Sequence, residues 1–323
     1  MGWEGIAAFS GIREPLARVE EFLQESLVED EGARELGRHL LLGKGKRVRP
    51  ALVLLGATIR GELPEGAVPL AAAVEMIHLA TLVHDDIIDR APLRRGVATI
   101  HTRWSEHASV LMGDFLFAKA FSLLAATGSN RIVRSMAEVV YEMCSGEIEQ
   151  NLSLHVPQDQ TEERYLERIG KKTARFVAES LRVGGILAGA SSAEEQALYD
   201  FGYQVGLGFQ IVDDLLDVAG SQKLGKASGS DLRTGVITLP VIHALNASPE
   251  GGRLLELCER EHLEPGEVAE AGAILRHSSS LQYTQKLADR LMTQAQARLT
   301  ALPEGLTRES LDALVKFLRH RRY

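Results

Sequence analysis

Cysteine is nearly absent from this 323-residue chain: Cys144 and Cys258 stand far apart, and neither has a second Cys or a His at ligand spacing. A disulfide framework and a structural zinc site are therefore not expected. Aromatic residues are also few, with 9 Phe, 6 Tyr and 2 Trp, so Leu, Val, Ile and Ala must fill the core. Positive charge is outnumbered, with 36 Lys plus Arg against 44 Asp plus Glu and a formal net charge of -8. That is the wrong sign for a nucleic-acid partner, and none is expected. The longest uncharged run, 234–249, is interrupted by Pro240, His243 and Asn246, so no transmembrane segment is read. Glu4 breaks the apolar stretch at the start and no basic residue precedes it, which argues against a signal peptide and for the cytoplasm.

No Asn-Gly or Asp-Gly pair occurs and no apolar–polar alternation is long, which gives hairpins little support. Three-and-four spacing is common instead, as in Leu16, Val19, Phe22 and Leu23, or Leu198, Phe201, Val205 and Phe209. Turn signals recur at 61–69, 92–97, 127–130, 153–160, 191–192, 219–235, 248–252 and 303–304. Ser192 with Glu195 fits a capping box opening a helix. Many helices, short connections and no Ser/Gly linker predict one all-α domain over 1–323.

Two strings echo each other, HDDIID at 84–89 and VDDLLD at 212–217. On a helix, Asp85 and Asp89 share a face, as do Asp213, Asp217 and Gln210. Like charges so spaced weaken a helix by roughly 0.2–0.5 kcal/mol and call for a counterion. An acidic run is ordinarily a solvated face. Both runs, however, follow strongly apolar stretches, 76–83 and 205–212, where unpartnered carboxylates are expensive. Hard oxygen donors without Cys or His favour Mg²⁺ completed by a substrate phosphate; a general acid and base pair is the alternative.

Cations gather in GKGKRVRP at 43–50, where Lys44, Lys46, Arg47 and Arg49 precede the apolar run ALVLLGA. Pro50 at a first helical position would mark a helix N-terminus, which attracts anions; a solvated basic loop is the competing reading. Arg94 and Arg95 follow Pro92 and are placed to reach back over Asp85 and Asp89, while Lys171, Lys172 and Thr173 alone read as an exposed turn. Nucleotide motifs fail: Ser or Thr is missing after the lysines, and Gly206 and Gly208 lack a third glycine and a strand. His78 lies seven residues before Asp85, on nearly the same helical face.

The strings GKRVRP, IHLATLVHDDIIDRAPLRRGVAT, GDFLFAKAF, GEIEQ at 146–150, KKTA at 171–174, and FQIVDDLLD followed by GKASGSDL and TLP resemble the all-trans polyprenyl diphosphate synthases. The match runs in order over most of the chain and is most like bacterial octaprenyl and heptaprenyl members. The resemblance implies an antiparallel helix bundle around a deep central cavity, usually homodimeric. It implies that Asp85 and Asp89, with Asp213 across the cavity, hold Mg²⁺, three ions once substrate is bound. Lys46, Arg49, His78 and Arg95 would take isopentenyl diphosphate; Arg94, Lys172, Thr173, Gln210 and Lys226 would face the allylic diphosphate. Asp85, Asp89, Asp213 and Lys172 are then the catalytic set. The implied reaction is ionisation of the allylic C–O bond, attack by the alkene of isopentenyl diphosphate and proton loss. Val236 departs from the pattern, because many members carry lysine there.

The resemblance further implies that residues one turn before Asp85 floor the cavity. Here they are Ala80 and Thr81, with Ile77 below and no aromatic, which favours elongation from farnesyl diphosphate to a long product for quinone side chains. Phe115, Phe117 and Phe121 are alternative floors, and a farnesyl or geranylgeranyl diphosphate synthase is the alternative product class. A small partner subunit is compatible with the sequence. A terpene cyclase would have no use for a second diphosphate seat. The basic C-terminal string KFLRHRRY reads first as a helix end favoured by the dipole, with a flap over the diphosphates or transient membrane contact as alternatives.

Overall fold

The computed structural model describes residues 7–43, 45–219 and 229–319. Its helices are α1 (Arg13–Val28), α2 (Arg34–Leu42), α3 (Val48–Ala57), α4 (Ala67–Ile88), α5 (Ile100–Arg103), α6 (Glu106–Ala126), α7 (Asn130–Leu152) and α8 (Glu162–Ile169). They continue as α9 (Arg175–Leu187), α10 (Ser192–Ala219), α11 (Ser230–Thr234), α12 (Leu239–Ala247), α13 (Gly251–Cys258), α14 (Pro265–His277), α15 (Ser280–Arg298) and α16 (Leu306–Arg319). The fold is all-α, as the periodicity predicts.

The chain groups into two compact units. The first takes the chain up to Glu138 together with Glu179–Tyr199 and Leu299–Leu314. Its central element is α4, in which Leu70, Val74, Met76, Ile77 and Ala80 are fully buried. α4 and α6 are each long and apolar enough to cross a bilayer; 72% of the α4 window is buried, which is how a core helix passes the same test, whereas 33% of the α6 window is. α3 packs against α4 and crosses α9 at close range. A Cβ on Gly184 would lie 2.1 Å from Val53 O, and one on Gly56 the same distance from Leu181 O. Only hydrogen fits at either position, so the glycines set the interhelical distance.

The second unit comprises Val139–Ala178, Asp200–Arg298 and the segment from Val315. Its core joins Leu207 and Ile211 of α10 to Val241 of α12, Leu254 of α13, Leu275 of α14 and Leu287 of α15. Between α8 and α9 the chain forms one π-helical turn at Gly170–Ala174. Gly170 makes room there for Tyr203, whose hydroxyl would be 2.5 Å from an added Cβ.

Three local expectations are corrected. A short hairpin exists, with Leu93 opposite Ala98 and Arg94 opposite Val97. Arg95 and Gly96 both take positive φ, 53° and 79°, the requirement of a tight two-residue turn, so Arg-Gly does what Asn-Gly usually does. The capping box at α10 sits one residue earlier than Ser192 and Glu195: Glu194 accepts from Ser191 N at 2.7 Å while Ser191 Oγ accepts from Glu194 N at 3.4 Å. Glu195 is taken instead by Arg131, at 2.6 Å. Finally, α3 begins at Val48, so Pro50 is its third residue and not its first. Replacing Gly184 by Ala should lower the unfolding free energy by on the order of 3 kcal/mol through overpacking against α3. Urea denaturation checks this, and an unchanged midpoint would contradict the close-crossing account.

Candidate active site

The cation cluster of the first unit is built on one left-handed residue. Arg47 has φ 46° and precedes α3. Its guanidinium is buried, 4% exposed, and held on two sides. Nε donates to Glu20 at 2.6 Å, Nη2 to the other Glu20 oxygen at 3.0 Å, and Nη1 to Glu75 at 2.8 Å. Burial alone would pull the Arg47 pKa down; the Glu20 and Glu75 carboxylates outweigh it and hold the group above its ordinary value. Arg47 is therefore a structural clamp. Its neighbour Lys46, exposed, lies on the loop that Arg47 ends, and Arg49, half-buried, lies in the first turn of α3.

Arg49, His78, Arg94 and Arg95 are brought into mutual electrostatic range. Burial holds the Arg49 pKa down at about 10, and Arg95 pushes the same way. Burial and then the charges of Arg47 and Arg94 lower Arg95 as well. His78 is held well below its usual value by burial and then by Arg49, Arg95, Arg94 and Arg47, which makes it a neutral hydrogen-bonding group here. Crowded cations of this kind are stabilised by an incoming anion. The loop and the hairpin are tied together by Arg95 Nη1, which donates to Gly43 O at 3.1 Å. His39 Nε2 secures the hairpin further, donating to Ala98 O at 2.7 Å. Lys44 and Lys226 lie outside the described residues.

At the C-terminal end of α4 the three carboxylates, with Asp89 as the capping residue, are not equivalent. Asp86 is buried and accepts from Arg94 Nε at 2.6 Å; burial raises its pKa and Arg94 opposes that. Arg94 thus reaches back to Asp86 and not over Asp85 and Asp89. Those two are half-buried and exposed respectively. One turn earlier, Ala80 and Ile77 are buried and Thr81 is half-buried, its hydroxyl donating to His78 O at 2.8 Å. Phe115, Phe117 and Phe121 of α6 are half-buried, and the Phe117 ring lies 6.0 Å from that of His84.

The second unit repeats the division of labour. Asp214 is buried and accepts from Tyr165 Oη at 2.7 Å and from Gln210 Nε2 at 2.8 Å. Burial, with the charge of Asp213, pushes its pKa up to about 6 against those two hydrogen bonds. Asp217 caps α11: Oδ1 accepts from Ser230 N at 3.2 Å and Ser230 Oγ at 2.6 Å, and Oδ2 from Asp231 N at 3.1 Å. The π turn places Lys172 Nζ 2.5 Å from Glu147 and lets Thr173 Oγ1 donate to Gln210 at 2.9 Å. π turns recur at functional sites because they rotate the residues they contain off the regular helical register.

Sequence reasoning missed Glu20, Glu75, Glu147 and Tyr165. Glu75 did carry a signal, being the one charged residue between Gly66 and Asp85. Arg47→Met should lose about 3–5 kcal/mol of stability by stranding Glu75 in the core. Lys46→Met, one residue away and outside the clamp, should change stability by less than about 0.5 kcal/mol. Denaturant unfolding of both variants checks the contrast, and equal losses would refute the clamp.

The polyprenyl synthetase family model matches residues 31–275. Heptaprenyl diphosphate synthase component 2 of Geobacillus stearothermophilus is 38% identical over 98% of this chain and 99% of its own. Octaprenyl diphosphate synthase of Escherichia coli is also 38% identical, over 87% of each chain. The crystal structure of a Caulobacter crescentus polyprenyl synthase with calcium and isoprenyl diphosphate superposes with a TM-score of 0.91 at 34% identity, covering 98% of this chain and 97% of that one. A chain with this sequence match, this helical fold and these two aspartate-bearing helices belongs to the polyprenyl synthetase family and is a prenyltransferase.

Proposed function

We propose that the enzyme condenses isopentenyl diphosphate with an allylic diphosphate, starting from farnesyl diphosphate, to make a long all-trans polyprenyl diphosphate for quinone side chains. The observation that carries the class is the gathering of Arg49, Arg94 and Arg95 around His78, a cation-rich seat that an anion would stabilise. The observation that favours a long product is the small residue Ala80 buried on α4 one turn before Asp85. The hepta- and octaprenyl names of the two relatives point the same way.

In this reading Lys46, Arg49, His78 and Arg95 hold isopentenyl diphosphate, and Arg94, Lys172, Thr173 and Gln210 face the allylic diphosphate, with Lys226 from outside the described residues. Asp85, Asp89 and Asp213 offer hard oxygen donors, a set that suits Mg²⁺ or Ca²⁺ and not zinc. Bound Mg²⁺ would neutralise the leaving diphosphate. Lys172 and Arg94 add positive charge to the same leaving group, so the allylic C–O bond ionises. The alkene of isopentenyl diphosphate then attacks the cation. The released diphosphate is placed to take the proton, and exclusion of water protects the cation until then. Val236, half-buried and with its backbone N donating to Asp231 O at 2.9 Å, supplies no charge where many relatives carry lysine.

The enzyme is read as a cytoplasmic homodimer, and the word component in one relative's name keeps a second subunit in view. Asp213→Asn should lower kcat by on the order of 10³-fold. Asp217→Asn, altering a carboxylate already engaged by α11, should cost less than about tenfold. Steady-state turnover checks both, and equal losses would contradict the division of labour. Ala80→Phe should shorten the product, read by sizing the dephosphorylated alcohols; an unchanged length would remove α4 as the floor.

A further inference from the structure

Tyr165 has no place in the assignments above, yet it is wholly buried and its hydroxyl reaches the second acidic cluster. We propose that Tyr165 is a positioning residue for the allylic diphosphate, acting through Asp214 and Gln210 on Thr173. The inference rests on the reading of Gln210 and Thr173 as allylic-diphosphate groups.

A glutamine side chain can present either its oxygen or its NH2 in a given direction, and its neighbours decide which. Here Asp214 Oδ1 takes the NH2 end of Gln210 at 2.8 Å. The oxygen end is thereby turned to Thr173, whose hydroxyl donates to it at 2.9 Å. Asp214 can do this only if it is itself fixed. Its other oxygen accepts from Tyr165 Oη at 2.7 Å, so the tyrosine anchors the carboxylate from the far side. Donation converges on Asp214, from the buried phenol on α8 on one side and from the Thr173 hydroxyl on the π turn, through Gln210, on the other.

The arrangement settles Gln210 before substrate arrives, leaving its second amide N–H for the anion, while Thr173 is held by the one hydroxyl proton it donates to Gln210. Glutamine is rotamer-rich, and ordering it on binding costs affinity; a residue already held in its bound orientation avoids that loss. Tyr165 itself is held in place. Its ring lies under the Arg168 guanidinium at 5.8 Å, and that guanidinium is fixed by Gln160 at 2.9 Å and Ile237 O at 2.6 Å. The same relay would also draw Asp214 away from metal ligation, leaving that task to Asp213. Tyr283 provides an internal contrast. Its hydroxyl also donates to a carboxylate on α8, Glu162 Oε2 at 2.5 Å, but that contact is not part of the chain leading to Thr173.

Tyr165→Phe removes the phenol oxygen and little else. It should raise KM for farnesyl diphosphate about tenfold while moving KM for isopentenyl diphosphate less than about twofold, the size expected for one hydrogen bond to a charged group. Tyr283→Phe should move neither. In a Gln210→Met background, Tyr165→Phe should add nothing further to the farnesyl diphosphate KM, because its route to Thr173 is already cut. A Tyr165→Phe effect that multiplies with Gln210→Met, or that raises both KM values equally, overturns the relay. If Gln210→Met alone leaves the farnesyl diphosphate KM unchanged, the underlying assignment of Gln210 falls, and the inference falls with it.

Discussion

Like charges crowded into partly dry surroundings are the constraint on which this structure depends. In the first unit, cations converge around His78 strongly enough that burial and mutual repulsion depress Arg49, Arg95 and the histidine itself. Such a cluster is tolerable only with internal counter-charge, and Glu75 supplies it from the middle of an apolar helix. The carboxylate is 3% exposed and bound to Arg47, and its field also reaches Arg49 and Arg95. The compensation is partial. A cluster of this sign favours an incoming anion, which is the basis of the diphosphate assignment proposed above.

The same logic governs the acidic strings. Three carboxylates on one turn repel, and the fold neutralises the member that points inward. Asp86 is tied to Arg94 and Asp214 to Tyr165 and Gln210, so the middle aspartate of each string organises the protein. Asp217 is drawn into capping α11. The inward-facing carboxylates hold Arg94 and Gln210, while Asp85, Asp89 and Asp213 are the ones the proposed function assigns to metal. Each string thus contains a carboxylate that braces the protein beside others left nearer the surface.

Much of this was legible from the sequence, and the reason is local. Helices announce themselves by three-and-four spacing, and the two DDxxD strings can share a helical face in only one way. What the sequence withheld depends on distant partners. Whether Arg47 or its neighbours bind substrate cannot be read from GKGKRVRP, because the answer lies in Glu20 and Glu75, 27 and 28 residues away. Tyr165 meets Asp214 across 49 positions and leaves no spacing signature. The Arg-Gly hairpin escaped because arginine is an uncommon choice at a positive φ, and His39 and Thr99, which help hold it, lie outside the turn itself.

The central claim is that these paired seats perform successive condensations of two diphosphates. Incubating the purified chain with Mg²⁺, farnesyl diphosphate and labelled isopentenyl diphosphate, then sizing the dephosphorylated products, tests it most directly. The account predicts a ladder of prenyl alcohols that ends at one product longer than geranylgeraniol. Absence of labelled prenyl product with farnesyl diphosphate, or a ladder that stops at geranylgeraniol, would contradict it.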